Sequence, residues 1–359
     1  MTRVFVVEPF EPPQDAEFDY LFRLRHREIA AVADDVVFAR HLAGNGVSDE
    51  DLVLEVSSER VLVLRRTIEA MVAAIRGGAV CVTPFTLAEV NAQPPVYTLR
   101  GFEEEESRWL RRPTKEERAR EALGPLTLWK GKDWKEGVDG TRVATVRVGL
   151  VHEFIDYYGE TRSDVVPFIP TGAREILEIG CAKGLTGEYL QSRLGCRVTG
   201  VELNPVVAEE ARKRLWKVVV GDVERVPIEG TFDVVLALEL FEHLRDPFLF
   251  LERAKGWLRP GGVLILSTPN VGHWSVVWDL LQGRWDYLPI GLLCFTHLRF
   301  FTRKSLETLL HLGGWDDVVI YPQETGVPRE IARALRKVKG VDWESLGISG
   351  FWVIARKNY

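Results

Sequence analysis

The sequence predicts a doubly wound α/β domain with seven strands in a mostly parallel, Rossmann-like sheet, preceded by a smaller N-terminal α/β domain. Three observations predict it. From about residue 146 onward, short apolar runs alternate with amphipathic stretches. The early runs are almost continuously apolar, as strands buried on both faces are. Glycine, proline and asparagine clusters close the runs at strand and helix spacing. Alternation of this kind places parallel strands between covering helices, and ligands then bind beyond the carboxyl ends of the strands.

The elements follow in order from local signals. Strands are expected at 175–180, 197–202, 216–220, 232–239, 263–268, 315–320 and 350–357. Helices are expected between them at 184–194, 205–214, 247–258, 302–312 and 328–338. Asp246 followed by Pro247 is an N-cap with proline in the first helical position, and Pro260-Gly261-Gly262 stops that helix. Residues 1–100 mix strand-like runs at 4–7, 52–56, 61–64 and 79–83 with amphipathic stretches around 21–40 and 67–76. Residues 101–145 read as a connector. They hold the acidic run 103–106, a capping-box start at Thr114 for a short charged helix, a stop at Gly124-Pro125 and a turn-rich 130–140. Three parts are therefore expected: 1–100, 101–145 and 146–359.

Composition narrows the function classes. The 359 residues are 46% hydrophobic and 27% charged, which excludes disordered, collagenous and disulfide-scaffold chains. With 46 basic against 52 acidic residues and a net charge of −6, a broad cationic nucleic-acid face is disfavoured. Cys81, Cys181, Cys196 and Cys294 form no C-x-x-C pair and no zinc spacing, so they read as reduced thiols in a cytoplasmic protein. Glu8 arrives too early for a signal-peptide core, and no apolar run is long enough to span a membrane. A homodimer stays open.

The most informative segment is Ile176-Leu177-Glu178-Ile179-Gly180-Cys181-Ala182-Lys183-Gly184, where a buried strand runs through a small-residue turn into a helix. Small residues let the backbone approach a ligand and let the helix sit close on the strand. The spacing lacks the dinucleotide G-x-G-x-x-G, and Glu178 stands where a carboxylate meets an ammonium group. Glu202 ends the next strand, where it can accept both hydroxyls of a ribose. Asp222 follows the third strand, placed for an exocyclic amine, although Gly221-Asp222 also reads as a turn pair. Glu239, Glu242 and His243 follow the fourth strand, and Ser267 to Asn270 end the fifth. Cys181 reads as a small packing residue and Asp246 as a helix cap.

With the approach His152 to Arg162 and the later Thr296-His297-Leu298-Arg299, this ordered set resembles the class I S-adenosylmethionine-dependent methyltransferases over roughly residues 150–357. It looks closest to the subset of bacterial polysaccharide and O-antigen assembly. The resemblance implies S-adenosylmethionine as cofactor. It implies Tyr158, Arg162, Glu178, Gly180, Cys181 and Gly184 around the cofactor turn. Glu202 and Leu203 would hold the ribose, Asp222 and Val223 the adenine, and Glu239 the methionine side. Ala182 stands where the family usually has glycine.

The resemblance implies O-methylation of a sugar or glycan by direct displacement. A base near the methyl would help a poorly nucleophilic hydroxyl, so His243 and His297 are the candidate catalytic residues. Each also reads as a packing or capping histidine. Asn270, His273, Trp274 and Arg299 are the substrate-binding candidates, with Arg299 as a clamp for an anionic group. Trp274, Trp278, Trp285 and Tyr287 would stack on sugar faces or cover the domain. No obvious carboxylate pair of the kind that holds a catalytic magnesium follows the fourth or fifth strand, so no metal is expected. Residues 48–74 are distantly similar to nucleotide-sugar glycosyltransferases, but the acidic pair those enzymes place after the strand is absent from Val56-Ser57-Ser58-Glu59. A degenerate docking module is the preferred reading there. A non-catalytic cofactor-binding scaffold of a polysaccharide-assembly complex is the alternative function, and a nicotinamide oxidoreductase a weaker one.

Overall fold

The computed structural model describes residues 3–10, 16–33, 35–43, 46–58, 60–87, 98–112, 115–117, 124–137, 145–153, 158–288 and 291–357. The chain divides into two compact units, residues 1–155 with 286–295 and residues 156–285 with 296–359.

The first unit contains β1 (Val4–Val7), α1 (Ala16–Ala30), β2 (Val36–Ala39), β3 (Leu52–Val56), β4 (Val61–Val63), α2 (Arg65–Arg76), β5 (Cys81–Thr86), α3 (Leu99–Leu110), β6 (Lys115–Glu117), β7 (Leu126–Lys130), α4 (Gly131–Lys135) and β8 (Thr145–Glu153). Seven strands run in the order β2-β1-β3-β7-β5-β8-β4, and β6 pairs with β8. β1 is parallel to β2 and β3, whereas β7 is antiparallel to β3 and β5. α2 buries Ile68, Met71, Val72 and Ile75, one stripe at helical spacing, in the same core as Leu54, Val56, Leu128 and Val151.

The residues expected to be a connector are part of this unit, and the reason is a buried carboxylate. Glu106 of α3 accepts from the Thr67 backbone N–H at 3.1 Å and from the Thr67 hydroxyl at 2.7 Å. It thereby gives the Thr67 N–H, which also reaches the Leu64 carbonyl at 3.1 Å, a side-chain acceptor at the start of α2, where the cap residue Leu64 offers none. The expected charged helix after residue 114 is replaced by β6, antiparallel to β8. Thr114 itself lies outside the described residues. The amphipathic stretch expected over 21–40 is two elements, because β-branched Val36 and Val37 enter β2.

The second unit contains β9 (Glu175–Ile179), α5 (Leu185–Leu194), β10 (Arg197–Glu202), α6 (Pro205–Arg212), β11 (Lys217–Val220), β12 (Phe232–Leu238), α7 (Pro247–Trp257), β13 (Leu258–Pro269), α8 (Trp274–Leu281), α9 (Arg303–Leu312), β14 (Val318–Glu324), α10 (Arg329–Leu335), α11 (Trp343–Leu346) and β15 (Ile348–Arg356), with 3₁₀ turns at Ser163–Phe168 and Phe241–His243. The sheet order is β11-β10-β9-β12-β13-β15-β14. The first five strands are parallel, and β15 is antiparallel to β13 and β14. This is the seven-stranded, mostly parallel sheet expected from the sequence.

Alternate residues of one strand enter different cores. Leu177 and Val235 join Phe250, Leu251, Leu306 and Leu310 from α7 and α9. Ile176, Val234 and Leu236 join Leu190 and Ala211 from α5 and α6. Burial on both faces explains the unbroken apolar runs. Caps set the helix starts. Asp246 accepts from Leu249 N–H at 3.0 Å, and Asn204 accepts from Val206 N–H at 3.0 Å ahead of Pro205. Among the described residues, no helix is long and apolar enough to cross a membrane. All four cysteines are buried and unpaired with one another.

Two glycines separate close packing from open space. A Cβ on Gly200 would lie 2.5 Å from Cys181 Sγ and 2.6 Å from Leu215 Cδ1, whereas a Cβ on Gly256 in α7 would meet nothing within 4 Å. Gly200→Ala is expected to destabilise the second unit by about 1–3 kcal/mol. Gly256→Ala should be stabilising by about 0.4–1 kcal/mol. Urea unfolding of the two variants beside the parent chain measures both, and equal midpoints for the pair would contradict this packing.

Candidate functional site

The parallel strands end along one edge, and the winding direction reverses between β9 and β12. The chain steps outward from β9 to β10 and β11 on one side, and from β12 to β13 on the other. The helices after β9 and β12 therefore diverge and leave a crevice at their carboxyl ends.

The turn after β9 is held open by backbone geometry. Gly180 has φ 70°, Ala182 φ 49° and Gly184 φ 78°. A Cβ at Gly184 would lie 3.1 Å from the Ala211 Cα, so glycine is needed both for the conformation and for the approach of α6. Gly180 and Cys181 donate their N–H groups to the Val201 carbonyl at 2.8 and 3.0 Å, which fastens the turn to β10. The Cys181 side chain points inward beneath Gly200, and burial pushes its thiol up, away from thiolate chemistry. Within the turn its Sγ reaches the Ala182 carbonyl at 3.9 Å.

Four acids surround this turn and the crevice edge. Glu178 is 5% exposed; burial raises its carboxyl, the Gly187 N–H opposes that, and Glu202 reinforces it, leaving it at about 8. Its Oε2 has no hydrogen-bond partner. Glu202 is buried, with Oε2 accepting from Ala182 N–H at 2.9 Å and Oε1 from Asn204 N–H at 2.8 Å. Leu203 beside it is exposed and Val223 is buried. Asp222 accepts from Glu224 N–H at 2.9 Å and from Arg245 Nη1 at 3.0 Å, so the turn-pair reading and the acceptor reading coexist. Glu239, at φ 49°, donates its N–H to the Ser267 carbonyl and hydroxyl oxygens at 3.1 and 3.0 Å. Its Oε1 lies 3.7 Å from Arg162 Nη1. Arg162 is anchored in turn by its N–H on Thr186 Oγ1 at 3.0 Å and sits 4.9 Å over the Trp352 ring. Tyr158 is half-buried, and residues 154–157 of the same approach lie outside the described residues.

The two candidate histidines come together. His243 and His297 face each other edge to face, with ring centroids 4.8 Å apart. His243 Nδ1 lies 3.2 Å from the Thr296 carbonyl, and burial pushes its imidazole below the ordinary value while that contact works the other way. His297 Nε2 lies 3.8 Å from Glu242 Oε1. Glu242 is 1% exposed; burial first, and Glu239 second, push its carboxyl well above the usual range. Its Oε2 accepts from the Thr268 hydroxyl at 3.0 Å. The Glu242 backbone carbonyl also accepts the N–H groups of Leu298 and Arg299 at 2.9 Å each, which ties the His297 segment to the 3₁₀ turn. Glu242, His243 and His297 are the residues able to hold a metal ion among those described. Looking only for a carboxylate pair misses them. The available signal was the adjacent Glu242-His243 after a buried strand.

The substrate-binding expectations fare differently. Asn270 is fully buried, donating to the Ser345 and Ile348 carbonyls at 2.9 and 2.8 Å and accepting from Gly272 N–H. His273 is fully buried as the N-cap of α8, with Nδ1 2.8 Å from Ser275 Oγ and Nε2 3.0 Å from Thr325 Oγ1. Its burial pushes the imidazole to about 4. Trp274 is buried beside it. These three, expected to contact substrate, are buried among protein groups at the end of β13 and the start of α8. Arg299 is exposed, but its guanidinium is engaged by the Leu298 carbonyl at 3.1 Å and by the Arg245 carbonyl. Trp285 stands edge-on to Phe300 in the second unit, whereas Tyr287 belongs with Phe295 to the first. The expected aromatic insert is therefore split between the units.

A residue other than glycine in the left-handed region costs about 1–2 kcal/mol. Ala182→Gly should therefore raise the thermal midpoint, with a gain of up to about 1 kcal/mol after the flexibility of glycine is counted. A lowered midpoint in a thermal scan would show that the alanine methyl makes contacts that outweigh its backbone strain.

Comparison with known proteins agrees with this geometry. A methyltransferase-domain family model matches residues 151–319. A ubiquinone biosynthesis O-methyltransferase of Azorhizobium caulinodans is 39% identical over 183 residues, which is 48% of this chain and 69% of that enzyme. One of the same name from Xanthomonas axonopodis pv. citri is 38% identical over 109 residues, and there the chain spans 45% of the relative's length. A methyltransferase structure from Archaeoglobus fulgidus is similar at 21% identity and TM-score 0.40, covering 54% of this chain and 90% of that one. One from Mesorhizobium loti is similar at 15% identity and TM-score 0.39, covering 54% and 96%. A relative at this identity over more than two thirds of its length, with the family model over the crevice-bearing unit, shows that the chain belongs to the class I S-adenosylmethionine-dependent methyltransferases.

Proposed function

We propose that this methyltransferase transfers the methyl group of S-adenosylmethionine to a hydroxyl oxygen of a small acceptor. The observation that carries the reading is the convergence of Glu242, His243 and His297 immediately beyond β12, on the same sheet edge as the Gly180–Gly184 turn. A bound sulfonium supplies a methyl carbon activated for direct displacement, so the protein's task is alignment and activation of the acceptor.

The residues present fit that cofactor. Glu178 is a buried carboxylate with one unpartnered oxygen, a cost that an ammonium group would relieve. Glu202, a buried carboxylate at the end of β10, stands where ribose hydroxyls would bind, with Leu203 exposed alongside. Asp222 and Val223 would hold the adenine, and Arg162, Tyr158 and Glu239 the methionine end. His243 and His297 would take or orient the acceptor proton.

The acceptor is the finer part of the proposal. The sugar or glycan reading drew on the resemblance to the polysaccharide-assembly subset, and of the aromatic residues expected to stack on a sugar, Trp274 is buried. The curated relatives carry the name ubiquinone biosynthesis O-methyltransferase, so quinone-type ring hydroxyls are placed ahead of sugar hydroxyls. For the first unit a docking role is retained. Ser57 and Ser58 follow β3 without an acidic pair. At the end of β1, Arg25 Nε donates to Glu8 at 2.9 Å, and His26 Nε2 lies 2.6 Å from the same carboxylate. That cluster fills its own polar positions with protein groups.

Two measurements test the reading. Calorimetry should detect binding of S-adenosylmethionine, and methyl transfer should be seen on a panel of phenolic and nucleotide-sugar hydroxyls, phenols first. Binding without turnover on any acceptor would favour a scaffold instead. The second measurement uses proton linkage. A carboxyl that is protonated below about 8 in the free protein must lose its proton to face an ammonium. Cofactor affinity should therefore increase as the pH rises toward 8, with release of about one proton near neutrality. Glu178→Gln should abolish the release and flatten the rise. Proton release unchanged in that variant would remove Glu178 from the cofactor site.

A further inference from the structure

We propose that the segment joining β14 to β15 docks the second unit on an anionic lipid surface, its cations meeting the headgroups while Val338 and Trp343 enter the interface. The claim rests on this segment alone and does not depend on which hydroxyl accepts the methyl group.

Residues 329–341 carry five cations, Arg329, Arg333, Arg336, Lys337 and Lys339, against the single acid Glu330, on a chain whose net charge is −6. All five cations are exposed, and none makes an ion pair with any described residue. The next acids along the chain are already engaged: Asp342 accepts from Ser345 N–H at 3.1 Å, and Glu344 lies 3.2 Å from Arg303 Nη1. α10 buries Ile331 and Leu335, four residues apart, so its outer face is left to the charges. Val338 is 52% exposed and Trp343 is 43% exposed. Unpaired cations around an exposed valine and indole match the boundary of an anionic bilayer, where phosphates take the charges and the apolar groups leave water. A nucleic acid offers the same phosphates but no apolar layer for Val338.

Strand register places the segment. Pro269 pairs with Gly350 and Glu324 with Ile348, so β14 ends and β15 begins on the edge where β13 ends, the edge that carries the crevice. Its base is fastened there. The Gly347 carbonyl accepts the N–H groups of Thr325 and Gly326 at 2.8 and 3.0 Å, and His273 Nε2 lies 3.0 Å from Thr325 Oγ1. Asn270 donates to the Ser345 and Ile348 carbonyls at 2.9 and 2.8 Å. A basic patch held to this edge turns the crevice toward the surface that the patch binds, which shortens the path for an acceptor carried in lipid.

The test is sedimentation of the full chain with phosphatidylcholine vesicles, with and without phosphatidylglycerol. Binding is expected only with the anionic lipid and should fade as salt is raised. Each cation near such a surface is worth about fivefold in affinity, so Arg333→Gln, Arg336→Gln, Lys337→Gln and Lys339→Gln combined should weaken binding by more than about 100-fold. Val338→Ser with Trp343→Ser should weaken it while leaving its salt dependence in place. A parent-like thermal midpoint reports that each variant is folded, and Val338→Ser alone serves if the double variant melts early. Equal binding to both kinds of vesicle, binding to neither, or parent-like binding by the folded four-site variant overturns the proposal. So does tighter binding of a structured RNA than of the anionic vesicles, which would assign the patch to nucleic acid. S-adenosylmethionine calorimetry on the same samples decides the methyltransferase reading separately, since vesicle binding by the patch requires no cofactor.

Discussion

The reversal of winding between β9 and β12 governs the rest of the second unit. Parallel strands align their carboxyl ends, and diverging crossovers leave those ends uncovered at one point only. The Gly180–Gly184 turn, Glu202, Glu239 and the Glu242–His243–His297 cluster all follow strands on that edge. Fastening of the turn to β10, through the Val201 carbonyl and the Glu202 carboxylate, gives it a fixed shape before any ligand arrives. A glycine-rich turn without those bonds would have to be ordered at the expense of binding.

Two buried acids at this edge carry unsatisfied oxygens. Glu178 and Glu242 each leave one carboxylate oxygen without a hydrogen bond, although both are nearly inaccessible to water. Two buried acids of the first unit are, by contrast, satisfied by the protein itself. Glu106 caps α2 and Glu8 is held by Arg25 and His26. The contrast separates carboxylates that maintain the fold from those whose missing partners point to ligands. It also explains why Asn270 and His273, polar and close to the end of β13, serve architecture: every hydrogen-bonding direction observed on them is taken by protein groups.

The second unit was largely legible in the sequence because its strands are buried on both faces and its helices carry strong caps. Ile176 to Ile179 and Val234 to Ala237 have no other low-energy place than a covered sheet, and Asp246-Pro247 marks a helix start by itself. The acids proposed to hold the cofactor were legible as an ordered set at or just beyond strand ends. The first unit was less so. Residues 101–145 are polar in composition, yet Glu106 is buried as a cap and Leu126 to Trp129 form an interior strand. Local polarity carries no record of a partner far along the chain. For the same reason the meeting of His297 with Glu242 was invisible: it depends on backbone bonds from Leu298 and Arg299 that only the folded chain makes. The burial of Asn270, His273 and Trp274 was not legible, because residues beyond a strand end can face inward as readily as toward a ligand.

The most direct measurement is a crystal structure of the chain grown with S-adenosylhomocysteine. The account places the adenosine between Glu202 and Asp222, and the amino-acid end against Glu178 on the side of the Gly180–Gly184 turn. Density for that molecule at any other part of the surface, with the crevice between β9 and β12 holding only solvent, would contradict it.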